Sequence, residues 1–168
     1  MKLVPVSPAG NVLNLSVTND LWIKSPTMFC DRPLSQLAMS GLRFAADAIC
    51  AQVKKDSSGI VYPPEKLVYG FMYCSEISFE FKFDPEKPNN YTFGQTLPLV
   101  LFRADLWEAF SLTPLQIAAV ILEEICHLCY SIDDEYLVKV KVVQILQNLA
   151  IVDFDSLYSS MPGMPNFQ

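Results

Sequence analysis

Apolar residues recur at helical spacing in two long segments of the chain. One covers residues 34–55, where apolar positions return every three or four residues along one face. The other covers residues 113–130, begins with a capping box of Thr113 and Gln116, and is apolar on nearly all sides. The pattern therefore predicts two helices, of which the second is buried in the centre of the fold. Gly41, within the first, is either a point of close approach by another element or a tolerated weak position.

Strand-like segments lie between these two helices. Residues 66–74 are rich in aromatic and β-branched side chains, and residues 76–84 alternate apolar with polar positions. Residues 97–110 begin as a strand and continue as a short helical or irregular piece. A surface loop is predicted at 85–96 from its Pro, Asn and Gly content, and an extended piece at 21–24.

A third helix is predicted over residues 135–150, although valine and lysine alternate there as they do in a strand. The acidic start and the placement of Glu135 four residues before Lys139 favour a helix. The order strands, helix, strands, helix, helix predicts an α+β arrangement in one domain. We expect a region of irregular structure and strands, a core, and a C-terminal tail, with the bounds 1–33, 34–150 and 151–168.

Composition narrows the class of protein. The 168 residues are 51% apolar and 18% charged, which is typical of a globular chain and favours a partner surface or an oligomer. The net charge of −6, without a basic cluster, argues against nucleic acid and anionic membranes as partners. Five scattered cysteines and the lack of a secretory or membrane-spanning pattern predict a cytoplasmic protein. Cys126 and Cys129 form a C-x-x-C, for which packing is favoured over redox chemistry.

The candidate chemistry lies on the second long helix. Glu123 and His127 are four residues apart and Glu124 and His127 three apart, so all three share one region of the helix surface. Asp133 and Glu135 follow a turn and could fold back as a further ligand. Carboxylates with one imidazole suit Zn, Mn or Fe(II). The spacing therefore indicates a candidate metal site.

The block that runs from "PLVLFRADLWEAF" through "ILEEICH" to "EYLVKVKVVQIL" resembles the core of zincin metallopeptidases. The resemblance covers about residues 34–150 and implies a small zincin-like domain, with a mixed or antiparallel sheet packed on a buried motif helix and two further helices. In the zincin motif H-E-x-x-H, Glu124 takes the general-base position and His127 the second ligand position. Glu123 stands where the motif has its first histidine. Asp133 or Glu135 would supply the third ligand.

Three interpretations follow from the glutamate that stands at the first histidine position of the motif. The favoured one is a degenerate scaffold without catalysis or cofactor, which acts as a regulatory or interaction protein toward a protein, a peptide or a second copy of the chain. The alternative is a metal-dependent hydrolase of the peptidase type, in which one Zn, Mn or Fe(II) ion is held by Glu123, His127 and Asp133 or Glu135, with Glu124 as base. A carboxylate at position 123 would make metal-bound water less acidic. In the third, the glutamates face a groove or pair with lysines, and His127 is a satisfied core histidine.

Overall fold

The elements are described over residues 2–6, 13–14, 27–73, 78–82, 99–159 and 161 of the computed structural model. The strands in this part are β1 (Lys2–Val6), β2 (Leu13–Asn14), β3 (Thr27–Cys30), β4 (Val68–Met72), β5 (Ser78–Lys82) and β6 (Leu99–Arg103). The helices are α1 (Gln36–Lys55), α2 (Ala104–Ala109), α3 (Pro114–Tyr130), α4 (Glu135–Leu146) and α5 (Phe154–Tyr158), with a 3-10 turn at Pro64–Lys66. The expected loop at 85–96 and extended piece at 21–24 lie outside the described residues.

The main sheet is mixed, with four strands in the order β2-β3-β4-β6. Strand β2 is antiparallel to β3, whereas the β3–β4 and β4–β6 pairs are parallel. The long helix α1 connects β3 to β4, and such a crossover returns the chain in the same direction. Strand β5 leaves this sheet and pairs antiparallel with β1. The α+β class is therefore confirmed and so is a mixed sheet, but an antiparallel arrangement is wrong for the central strands.

Helix α3 lies at the centre of the helical layer, as its apolar sequence predicts. It packs against both α1 and α4, which also contact each other. Gly41 of α1 makes the first contact possible, since a Cβ atom there would lie 2.5 Å from the Ile117 Cγ2 atom. The close approach is thus confirmed as the role of this glycine. Buried side chains of β3, β4, β6 and all five helices form one hydrophobic cluster.

Local capping interactions set most of the helix ends. The capping box at the start of α3 is present, with the Gln116 backbone N–H donating to the Thr113 hydroxyl and the Thr113 N–H donating to the Gln116 side chain. Helix α4 starts after Asp134, whose carboxylate accepts from the Leu137 N–H. Helix α5 lies in the segment that the sequence pattern assigns to a tail. Its cap is Asp153, which accepts from a backbone N–H three residues later.

The α3–α4 pair is bent by 110° at its break. Among the described residues, no single helix is long and apolar enough to cross a membrane. The bent α3–α4 pair reaches that length and apolar composition only when its two helices are taken together. Between the two helices, Ser131 adopts the left-handed conformation with φ of 53° and ends α3. The bend brings the start of α4 back toward the last turn of α3, where the candidate residues lie.

Candidate functional site

Of the three motif residues of α3, two are half-buried and one is exposed to solvent. Glu123 and His127 lie one turn apart on the same face and are both partly buried. Glu124, one residue further along the helix than Glu123, is exposed. The general-base candidate therefore stands apart from the two ligand candidates.

The turn after α3 fixes the His127 ring. Its Nδ1 atom lies 2.6 Å from the backbone carbonyl oxygen of Ile132. A carbonyl oxygen can only accept, so the ring donates from Nδ1, which directs Nε2 toward α4. The imidazole is thereby held by its own C-terminal turn.

Glu135, in the first turn of α4, contacts both His127 and Lys139. Its Oε1 atom lies 3.4 Å from His127 Nε2, and its Oε2 atom accepts from Lys139 Nζ at 3.4 Å. Asp133, the other candidate for the third position, is exposed in the preceding turn. Of the two acidic residues, Glu135 is thus the one whose carboxylate reaches the histidine.

Lys139 is a residue of this site that the sequence pattern did not point to. Its side chain is buried, with only 4% of the residue exposed, and it lies one turn after Glu135. Its Nζ atom is 5.9 Å from the centre of the Tyr158 ring. The spacing of Glu135 and Lys139 favours a helix in the sequence, but it gives no sign that the lysine is buried.

Glu123 is partly buried, and its Oε1 atom is shielded from solvent. Burial raises the pKa of its carboxyl, and the Tyr158 hydroxyl and the Lys139 ammonium oppose this shift only in part. The hydroxyl is near enough to affect that pKa, yet neither it nor Glu123 Oε1 has a partner in hydrogen-bond geometry. We name the set Glu123, His127, Glu135, Lys139 and Tyr158 the lysine cluster.

The lysine cluster does not fit a divalent metal as it stands. Among the residues that the structure describes, no group of three His, Cys, Asp or Glu side chains lies close enough to hold an ion. The anchored His127 ring, with Nε2 facing Glu135, has the orientation of many metal-binding histidines. However, the Lys139 ammonium, which contacts Glu135 and lowers the pKa of Glu123, already supplies a positive charge.

The two cysteines of the C-x-x-C are fully buried beside this site. Burial raises the pKa of both the Cys126 and the Cys129 thiols to about 12. Thiolate is the nucleophilic and metal-binding form of cysteine, so at neutral pH these thiols are unreactive. Their surroundings agree with a packing role in α3.

The raised pKa of Glu123 predicts a specific pH dependence of stability. A carboxyl whose pKa is higher in the folded chain stabilises the fold below its ordinary pKa of 4.5, and this contribution is lost as pH rises through the folded value. Glu123→Gln is therefore expected to gain stability relative to wild type as pH is raised from about 4.5 to about 8. Urea unfolding at several pH values measures the difference.

Glu124→Gln is the matched control for this prediction, because it makes the same chemical change on a neighbouring but exposed side chain. If the stability curves of Glu123→Gln and wild type stay parallel over this pH range, burial does not destabilise the Glu123 carboxylate.

Comparisons of this chain with protein-family models, curated proteins and solved structures find no match. The resemblance to zincins therefore stays a prediction that rests on the motif residues.

Proposed function

We propose that this chain is a non-catalytic protein-interaction or regulatory module on a degenerate, zincin-like metallopeptidase scaffold. The observation that carries the proposal is the buried Lys139 ammonium among Glu123, His127 and Glu135. A metallopeptidase needs a Lewis-acidic ion with an open position for water and a nearby base. Here a side chain provides the positive charge, and an ammonium group cannot bind and activate water in that way.

The order of elements around α3 supports a zincin-like packing. Strand β6 and the short helix α2 precede the buried motif helix, and α4 follows it. The bend between α3 and α4 places Glu135 beside His127, where the resemblance expects a third acidic position. The proposed ancestry would account for an acidic residue beside His127 in the first turn of α4.

The first turn of α4 offers a surface for a partner. Residues 133–137, which we name the 133–137 surface, are all exposed and combine three acidic with two apolar side chains. Tyr136 is 53% exposed and Leu137 is 55% exposed. The centres of the Tyr136 and Phe154 rings lie 5.6 Å apart. Large apolar groups framed by carboxylates suit a protein or peptide segment that carries apolar and basic side chains.

A reducing compartment such as the cytoplasm is part of the proposal. In the described part of the chain, Cys50, Cys126 and Cys129 are free and buried. Free buried thiols are usual where disulfides do not form.

Leu137→Asp is expected to weaken association at the 133–137 surface at least about tenfold, because it replaces an apolar contact by a further negative charge. The measurement is fluorescence polarisation with a panel of peptides that combine basic and apolar residues, at low and high salt. Binding by wild type should weaken as salt is raised. Light scattering tests a second copy of the chain as the partner.

Leu101→Asp is the matched control, since Leu101 is 44% exposed and lies on β6, in a different element. Equal loss of binding in both variants, or tight binding that salt does not change, would argue against this surface. Lack of binding to every peptide together with a strictly monomeric chain would count against the interaction function as a whole.

A metal-dependent hydrolase, with Glu124 as base, is the second candidate. The observation in its favour is the His127 ring, whose Nδ1 is anchored by Ile132 while Nε2 faces Glu135. It requires the Lys139 ammonium to move away from the two carboxylates. Peptidase activity that depends on added Zn²⁺ or Mn²⁺ in wild type, and that Glu124→Gln abolishes, would establish it over the interaction module.

A further inference from the structure

A row of three aromatic rings joins the start of α4 to α5. The ring centres of Tyr136 and Phe154 lie 5.6 Å apart, and those of Phe154 and Tyr158 lie 5.0 Å apart. The row runs from the surface into the core, since Tyr136 is 53% exposed, Phe154 is half-buried and Tyr158 is 5% exposed. It therefore reaches the surface in an aromatic ring that a partner can contact.

Five exposed carboxylates lie within three residues of Tyr136 or Phe154. They belong to Asp133, Asp134, Glu135, Asp153 and Asp155. No lysine or arginine occurs in residues 131–137 or 151–159. The surface around the two outer rings is thus negative, and it favours a positively charged partner.

Two of these five carboxylates are available to a partner. The other three are engaged within the chain, two as helix caps and one, that of Glu135, in contact with Lys139. Among the described residues, the side chains of Asp133 and Asp155 have neither a hydrogen bond nor an ion pair. Asp133 belongs to the turn before α4 and Asp155 to α5, so the available charges lie on both sides of the two rings in the sequence.

The combination of a tyrosine ring, a carboxylate and a guanidinium group already occurs elsewhere in this chain. The Arg32 Cζ atom lies 3.7 Å from the centre of the Tyr73 ring, and its Nη2 atom lies 4.0 Å from Glu108 Oε2. The Tyr73 hydroxyl donates to the same glutamate. A side chain that is 58% exposed is thus held over an aromatic face beside a carboxylate.

We propose that the exposed Tyr136 ring, with the carboxylates of Asp133 and Asp155, binds arginine side chains of a partner protein and selects arginine over lysine. A planar guanidinium group can stack on an aromatic face and donate two parallel hydrogen bonds to a carboxylate, whereas an ammonium group is a compact charge. Leu137, which is 55% exposed, contacts an apolar residue next to the arginine. The arginine site rests on the interaction function proposed above and extends the 133–137 surface to α5.

Matched arginine and lysine peptides separate this proposal from simple charge attraction. One labelled peptide alternates leucine with arginine, and the other has lysine at every arginine position. We expect wild type to bind the arginine peptide at least about threefold more tightly, because only arginine combines stacking with forked hydrogen bonds. Fluorescence polarisation at low salt measures both affinities. Equal affinities would overturn the selection of arginine.

Tyr136→Leu keeps an apolar side chain and removes the aromatic face, so the two peptides should then bind with affinities within about twofold of each other. Asp155→Asn should weaken binding of the arginine peptide at least about threefold, because a charge-assisted hydrogen bond is lost. Glu65→Gln, which removes an exposed carboxylate from the 3-10 turn, is the matched control and should leave both affinities nearly unchanged. Circular dichroism checks that each variant is folded. An arginine preference that Tyr136→Leu leaves intact would overturn the proposal.

The arginine site and the interaction function fail in different ways. If wild type binds both peptides equally and Leu137→Asp abolishes both, the arginine site is wrong and the interaction function stands. If neither peptide binds and the chain is strictly monomeric, both proposals fall. Self-association that salt weakens and Tyr136→Leu removes, without binding of either peptide, would assign this surface to a second copy of the chain and overturn a separate partner.

Discussion

Gly41→Ala is expected to lower the free energy of unfolding by about 1–3 kcal/mol, the usual cost of overpacking a well-filled core. The new Cβ atom would lie 2.5 and 2.6 Å from the Ile117 Cγ2 and Cβ atoms and 3.0 Å from the backbone oxygen of Pro114. Alanine favours a helix over glycine by about 1 kcal/mol, but only part of the clash can be relieved by side-chain movement. Urea unfolding monitored by circular dichroism measures the loss.

Ser40→Ala is the control in the same helix. Ser40 is exposed, and its hydroxyl donates only to the Gln36 carbonyl oxygen of the previous turn. Its replacement should change stability by no more than about 0.5 kcal/mol, as for ordinary surface sites. A Gly41→Ala protein more stable than wild type would mean that α1 and α3 can separate at little cost.

Lys139→Met is expected to destabilise the fold at neutral pH by about 1–3 kcal/mol, because the largely buried Glu123 carboxyl then lacks the positive charge that opposes its raised pKa. Methionine matches the volume of lysine closely, so packing changes little. Glu135 keeps access to water, with 63% of its side chain exposed, and Glu123 therefore carries most of the effect. Chemical unfolding in the presence of a chelator measures the change without a contribution from bound metal.

Two further variants separate charge from packing. Lys141→Met, on the same helix, removes an amine that lies 4.6 Å from the centre of the Tyr130 ring and should cost no more than about 1 kcal/mol. Adding Glu123→Gln to Lys139→Met should recover much of the lost stability, because the buried carboxylate is then absent. Strictly additive effects of the two substitutions would show that Glu123 and Lys139 do not interact.

The helices could be predicted from the sequence because their signals are local. The capping box of Thr113 and Gln116, the apolar periodicity of α1 and α3, and the acidic start of α4 depend only on residues a few positions apart. Together with the strand-like segments between the helices, these signals predict the α+β class. Strand direction could not be predicted, since it depends on which distant segments pair, and β5 pairs with β1 instead of joining its neighbours in the main sheet.

Part of the candidate site could also be predicted from spacing. Helical geometry alone places Glu123 and His127 on one face of α3. The choice between Asp133 and Glu135 stayed open, because it depends on the direction in which the chain leaves α3. The left-handed Ser131 and the bend that follows decide it in favour of Glu135.

Lys139 and Tyr158 became part of the site only through tertiary structure. A lysine on an amphipathic pattern is expected to point to solvent, and Tyr158 lies in a segment that the pattern assigns to a tail. Packing of α4 and α5 against α3 buries both side chains beside Glu123. The sequence by itself determined that two acids and one histidine share a helix surface. The tertiary structure decided that the positive charge near Glu123 and Glu135 is the Lys139 ammonium, because burial is set by elements that are distant in the chain.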